Sequence, residues 1–196
     1  TASAINLANY ELRLYANGSG SATTTNTLSG MLPAGATVVY KNSAATIYLG
    51  ASTTLSAVNW NGNDAIALFN TVSNQFADIF GRIGEDPGTA WTGGGNSTLD
   101  KTLRRKPTVY QGIATNPGGG FPTLATEWDQ FNIDDVTGLG SHTFTPLATA
   151  TVTLTVEDGA GLTSTCTATI TIEDATAPTL TCPMDQVVTT SSNGTG

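Results

Sequence analysis

Groups able to make or break bonds are few in this 196-residue chain, and their spacing does not suit catalysis. His142 is the single histidine, in Gly140-Ser141-His142-Thr143, and Cys166 and Cys182 are the two cysteines. A hydrolytic triad needs a base held beside a nucleophile, and no Gly-x-Ser-x-Gly elbow is present to present one. Three His and Cys residues so widely separated do not make a zinc ligand set. Gly93-Gly94-Gly95 and Gly118-Gly119-Gly120 lack the Gly-Lys-Ser/Thr ending of phosphate-binding loops. His142 therefore reads as a packed or hydrogen-bonded core residue, and the chain as a non-enzyme.

Oxygen donors are more numerous. Glu85-Asp86, Asp134-Asp135 and Glu157-Asp158 are adjacent carboxylate pairs in turn-like segments. Glycoside hydrolysis would need two carboxyls opposed across a cleft at a set separation. Calcium, which takes clustered loop oxygens, suits such pairs better. The simpler reading is a set of solvated turn carboxylates, so no cofactor is expected and Ca2+ is the one candidate. The run Lys101 to Lys106 holds four of the seven basic residues. It reads either as an anion or partner site, or as a strand whose Leu103 faces inward while Arg104 and Arg105 brace acidic neighbours such as Glu85, Asp86 and Asp100. The acidic surroundings favour the brace, because bidentate Arg–carboxylate pairs commonly tie loops down.

The elements that must position these groups are strands. Hydrophobic residues make up 39% of the chain, enough for a core, whereas charged residues are only 11% and Thr, Ser, Asn and Gly carry the polar surface. That composition suits sheet faces and turns rather than long helices. The net charge of −8 argues against nucleic acid as a partner, since phosphate binding requires a basic footprint. It leaves room for a cationic or calcium-bridged partner. No run approaches the roughly 18 apolar residues of a membrane span.

Tyr10 to Tyr15 alternates with period two, as a half-buried strand does. Thr37 to Tyr40 and Thr46 to Leu49 read as shorter strands, and Thr53 to Val58 is the best of the weak helix candidates. Ala65 to Phe69 and Phe76 to Phe80 flank a polar turn, which is the signature of a hairpin. Ile66 and Leu68 are expected on one face, with Phe76 and Ile79/Phe80 near the same core. Trp91 follows a Gly- and Pro-rich loop and is expected to plug the end of a core. Thr149 to Val156 and Thr163 to Ile172 alternate around a Glu157-Asp158-Gly159-Ala160-Gly161 turn, predicting a second hairpin with one Thr face and one apolar face.

Five motifs, WNGNDAIALFN, DIFGRIGEDPGTAW, TLRRKP, EWDQF and DDVTGLGSHTF, occur in one order between Trp60 and Phe144. In this order they resemble the lamin tail domain of secreted bacterial proteins, an immunoglobulin-like β-sandwich. The resemblance implies that Trp60, Asp64, Phe80, Gly81, Trp91, Arg104, Arg105, Trp128 and His142 hold the sandwich and its loops together. It implies a binding and scaffolding module rather than an enzyme. The family's usual first strand pair has no counterpart here, so an open sheet edge is expected beside Tyr10–Tyr15. The stretch VTLTVEDGAGLTSTCTATITIEDATAPTLTCP resembles the closing hairpin of one hyalin-repeat module joined to the opening strand of the next. That likeness implies that Cys166 and Cys182 each lack their usual partner within these residues.

The expected organisation is thus all-β: a lamin-tail-like sandwich over residues 1–143 and a hyalin-repeat-like segment over 144–196. The expected role is extracellular or cell-surface adhesion. One version is a filament in which the strand near Cys182 completes a neighbouring copy and bridges to its Cys166. Another is a piece of a larger multidomain protein. A further alternative is the targeting module of a secreted hydrolase, a nuclease or phosphatase. Sugar binding through Trp60 or Trp91 is a third. The partners expected are other protein chains, either copies of this one or neighbouring modules.

Overall fold

A computed structural model describes residues 3–145 and 148–172. The chain divides into two compact units, 1–145 and 146–196. The fold is all-β. Strands β1 (Ile5–Asn6), β2 (Tyr10–Tyr15), β3 (Thr24–Thr27), β4 (Met31–Leu32), β5 (Tyr40–Lys41) and β6 (Thr53–Thr54) open the first unit. They are followed by β7 (Ala65–Asn70), β8 (Gln75–Phe80), β9 (Thr92–Gly93), β10 (Asn96–Ser97), β11 (Lys101–Arg105), the single-turn helix α1 (Leu124–Glu127) and β12 (Trp128–Asn132).

The principal sheet has the antiparallel order β3-β2-β7-β8, with Leu12 opposite Leu68 and Leu14 opposite Ile66. β2 therefore lies inside the sheet. The open edge expected beside Tyr10–Tyr15 is filled on one side by β7 and on the other by β3 of the same chain. Asn70 shapes the hairpin turn by accepting the backbone N–H groups of Val72 and Ser73, at 2.9 and 3.0 Å, and Asn74 takes a left-handed φ of 56°. A bulge between Leu68 and Phe69 sets Phe69 opposite Phe76, and their rings meet edge to face at 5.2 Å. The outer edge of β8 is covered by the loop before Pro117: Ile113 N–H donates to Asp78, and a side chain at Gly112 would collide with the Ala77 carbonyl.

Successive residues of a strand point to opposite faces, and the β7–β8 hairpin is consequently packed on both. Tyr15, Ala65, Ala67 and Ile79 form one buried cluster; Trp91, Phe121 and Leu124 form another, joined by Phe80, Leu103 and Trp128. This corrects one expectation. Ile79 and Phe80 contribute to separate clusters rather than one. On β7 the small residues Ala65 and Ala67 are the fully buried ones, while Ile66 and Leu68 remain half-buried.

β11 pairs with β12, placing Arg105 opposite Trp128 and Leu103 opposite Gln130. β5 and β6 form a short parallel pair. The strand expected over Thr37–Tyr40 reduces to Tyr40–Lys41. Thr46–Leu49 forms none, and Leu49 is almost wholly solvent-exposed. β propensity reflects packing against a neighbour, and no strand among the described residues pairs with that segment. The Thr53–Val58 helix is also absent; the one α-helix among the described residues is α1, and 3-10 turns occur at Leu7–Asn9 and Ala16–Gly18.

In the second unit β13 (Ala148–Glu157) pairs with β14 (Thr163–Ile172) across the predicted turn, with Leu154 opposite Cys166 and Val152 opposite Ala168. Asp158 closes the turn by accepting from the backbone of Ala160 and Leu162. Val152, Leu154 and Val156 are exposed on its apolar face.

Candidate functional site

The loop from Trp60 to Asp64, immediately before β7, is fixed by polar contacts to three distant parts of the first unit. Asp64 is 5% exposed, and its carboxylate accepts the backbone N–H groups of Asn17 at 2.9 Å and Asn61 at 3.2 Å. Its carbonyl accepts the indole N–H of Trp91 at 3.0 Å. Asn63 donates its amide to the Gly88 carbonyl at 2.9 Å and to Asn17 at 3.2 Å. The Thr98 hydroxyl donates to the carbonyl of Gly62, a residue at φ 111° where an added Cβ would lie 3.1 Å from Leu99 Cα. Asp64 is thus a structural hub, with its buried charge met by N–H donors.

Trp91 is 2% exposed and plugs its core as expected, against Phe121 and Leu124. Trp60 does the opposite. It is 43% exposed, so it does not hold the interior together, and stands at the mouth of a cleft of about 590 Å3. Its apolar lining comes from Ile66, Phe80, Leu103 and Trp128 together with Ile133, Val136 and Leu139. Ile133 and Leu139 are themselves about half exposed. The indole N–H of Trp128 is buried without a hydrogen-bond acceptor. Asp100, at φ 51°, and Asp134, at φ 62°, also line the cleft. Neither carboxylate has a hydrogen-bond or ion-pair partner among the described residues.

The two arginines brace the frame behind this cleft, through partners other than those expected. Strand alternation sends their side chains apart. Arg104 reaches Asp135 at 2.5 Å and lies 4.0 Å above the Phe131 ring. Arg105 bridges β8 to α1 by pairing with Asp78 and with Glu127, the latter at 3.1 Å, and stacks on Trp128 at 4.8 Å. Burial works against the charge of Arg105, but the hydrogen bonds and charges of Asp78 and Glu127 outweigh it and keep the guanidinium firmly protonated. Glu85 pairs with Arg82 at 2.5 Å, and Asp86 accepts from Gly88 N–H.

The Gly120 N–H and Arg82 hold Glu85 below its ordinary range, and Thr137, through its N–H and hydroxyl, together with Arg104, lowers Asp135. No group of three His, Cys, Asp or Glu residues able to hold a metal ion occurs among the described residues.

His142 is exposed, with its ring edge-on to Phe144 at 4.7 Å; it is not the core residue expected. It lies in the segment that follows β12, among residues that are themselves exposed. Cys166 is exposed and has no disulfide partner among the described residues. Cys182, and with it any bridge to Cys166, lies outside the described residues. No described helix is long and apolar enough to cross a membrane.

The sequence singled out Trp60, Asp64 and Trp128 as structural residues, Asp134 as one of a carboxylate pair and Asp100 as a neighbour of the arginines, but it joined none of these into a cleft and did not single out Ile133 or Leu139. The available signal was Asn132-Ile133-Asp134-Asp135-Val136, where apolar residues persist in a segment without strand periodicity. In comparisons with known proteins, no family model, no curated protein and no solved structure matches this chain.

Proposed function

We propose that this chain is a non-enzymatic, extracellular adhesion module that holds a partner in the Trp60 cleft. The observation that carries the reading is Trp60 itself. A large aromatic side chain stays nearly half exposed on a loop that six hydrogen bonds fix in place. Tryptophan is strongly enriched among residues that anchor protein contacts, and a pre-set loop reduces the ordering cost of binding. The cleft volume falls in the range typical of ligand sites.

Two further features support a lamin-tail-like, immunoglobulin-type sandwich at a cell surface. One is the order of the five motifs; the other is the antiparallel principal sheet with a core on each face. The Thr- and Ser-rich surface suits a secreted location. The hyalin-repeat likeness of the second unit accords with β13–β14, whose exposed apolar face fits it for packing against another protein surface. A targeting role within a larger secreted hydrolase would use the same cleft.

The test is retention of the purified chain on cell-envelope material of its source, with Trp60→Ala as the variant. Retention is expected to fall at least tenfold while the melting temperature stays unchanged, because Trp60 is not core. Equal retention of variant and wild type overturns the assignment of the site. Turnover of any substrate by the purified chain overturns the non-enzymatic reading.

A further inference from the structure

We infer that the Trp60 cleft recognises a basic peptide segment of a protein partner, seating a lysine or arginine side chain between the Trp60 ring and the carboxylates of Asp100 and Asp134. The inference rests on the assignment of the cleft as the contact site and adds the chemistry of its occupant.

Most ionic groups around this end of the molecule are already satisfied within the chain. Asp64 is met by backbone N–H donors, and Asp135 by Arg104 and Thr137. Asp100 and Asp134 are the two lining carboxylates left without a partner among the described residues, against one lining cation, Lys101. The cleft thus keeps an uncompensated negative charge beside an apolar interior.

Its shape matches its charge. Trp60, Ile133 and Leu139 offer exposed apolar surface at the mouth. Arginine and lysine carry aliphatic stems that pack on such surface while the charged head remains in polar surroundings. A cation over an indole face gains from the ring quadrupole, and the chain already uses this contact internally, with Arg13 at 3.5 Å above Phe69 and Arg105 over Trp128. The Trp60 loop and the Leu99–Asp100 segment are joined by the Thr98 hydroxyl on the Gly62 carbonyl, so the aromatic and one carboxylate are held in register. The chain's net charge of −8 adds long-range attraction for a basic segment.

A neutral sugar could stack on the same indole, but it would leave both carboxylates without a countercharge. The charge balance therefore favours the basic peptide.

The experiment titrates the full chain with an acetylated and amidated (Arg-Gly)5 peptide, following tryptophan fluorescence, with (Gln-Gly)5 as the uncharged control. Binding is expected for the arginine peptide, at least tenfold weaker for the glutamine peptide, and markedly weakened between 50 mM and 500 mM NaCl. Asn tolerates left-handed backbone as Asp does, so the double variant D100N/D134N preserves the fold. It is expected to lose at least fivefold in affinity. The charge-matched control D86N/D129N, at exposed positions of the same unit that do not line the cleft, is expected to lose less than twofold. Equal losses in the two double variants reduce the effect to general electrostatics and overturn the inference. So do equal binding of the two peptides, absence of binding, and retention on soluble β-glucan that D100N/D134N leaves unchanged. Envelope retention separates the two levels of the reading: sensitivity to Trp60→Ala without sensitivity to D100N/D134N keeps the site and removes the cationic occupant.

Discussion

Replacing Trp91 tests how the loop before β7 is held. Trp91 fills the end of its core against Phe121, Leu124 and Gly81, and it donates its indole N–H to the carbonyl of Asp64. Truncating a buried tryptophan to alanine costs about 3–5 kcal/mol in transfer and cavity terms. Orphaning the Asp64 carbonyl adds roughly 1 kcal/mol. Trp91→Ala should therefore lose about 4–6 kcal/mol, a large fraction of the ~5–15 kcal/mol that stabilises a domain. Trp91→Phe keeps most of the ring and loses the donor, for about 1.5–3 kcal/mol. Gly81 lies at φ 78°, and a Cβ there would approach the indole nitrogen to 2.9 Å, so Gly81→Ala should cost about 2–3 kcal/mol through the same contact. Urea unfolding followed by circular dichroism, with a common m-value, measures all three. A loss below about 2 kcal/mol for Trp91→Ala, or equal losses for Ala and Phe, would refute the plug and its hydrogen bond.

Two further perturbations probe the frame. Arg105→Met leaves Asp78 and Glu127 without their shared cation and should cost about 2–4 kcal/mol, whereas Arg105→Lys, which keeps charge but loses the fork, should cost about 1–2 kcal/mol; a double-mutant cycle with Asp78→Asn would show no coupling if the bridge were idle. Glu85 and Asp135 titrate below their ordinary values of 4.5 and 3.8 in the folded chain, so the unfolded chain takes up protons first as the pH falls. Their stabilisation is complete above those ordinary values and is lost as the pH drops through the lower folded ones. The melting temperature should decline between about pH 5 and pH 3, and less steeply in E85Q/D135N; identical slopes would contradict the assignment.

Local pattern made the strands legible where a partner lay close in sequence. Ala65–Asn70 and Gln75–Phe80 flank their own turn, as do β13 and β14, and both hairpins follow from alternation and turn chemistry. Tyr10–Tyr15 was legible as a strand, but not its position inside the sheet, because its neighbours β3 and β7 are set by tertiary packing. The misread segment Thr46–Leu49 has the right residues and no paired strand among the described residues. At the site, tryptophan was conspicuous in the sequence, yet nothing local separates the buried Trp91 from the exposed Trp60; the difference lies in Phe121 and Leu124, thirty residues further along, covering one and not the other. Asp100 and Asp134 were legible as acidic, but their lack of partners depends on where Arg104 and Arg105 point.

Retention and affinity report on Trp60 only through its loss; its own resonance reports on it in place. The three tryptophans give three indole N–H signals, and a proton–nitrogen correlation spectrum of the full chain can follow each as soluble envelope fragments that retain the protein are added. The Trp60 signal is predicted to shift progressively while that of Trp91, 2% exposed, stays fixed. A Trp60 signal unmoved at saturation would contradict the placement of the contact site.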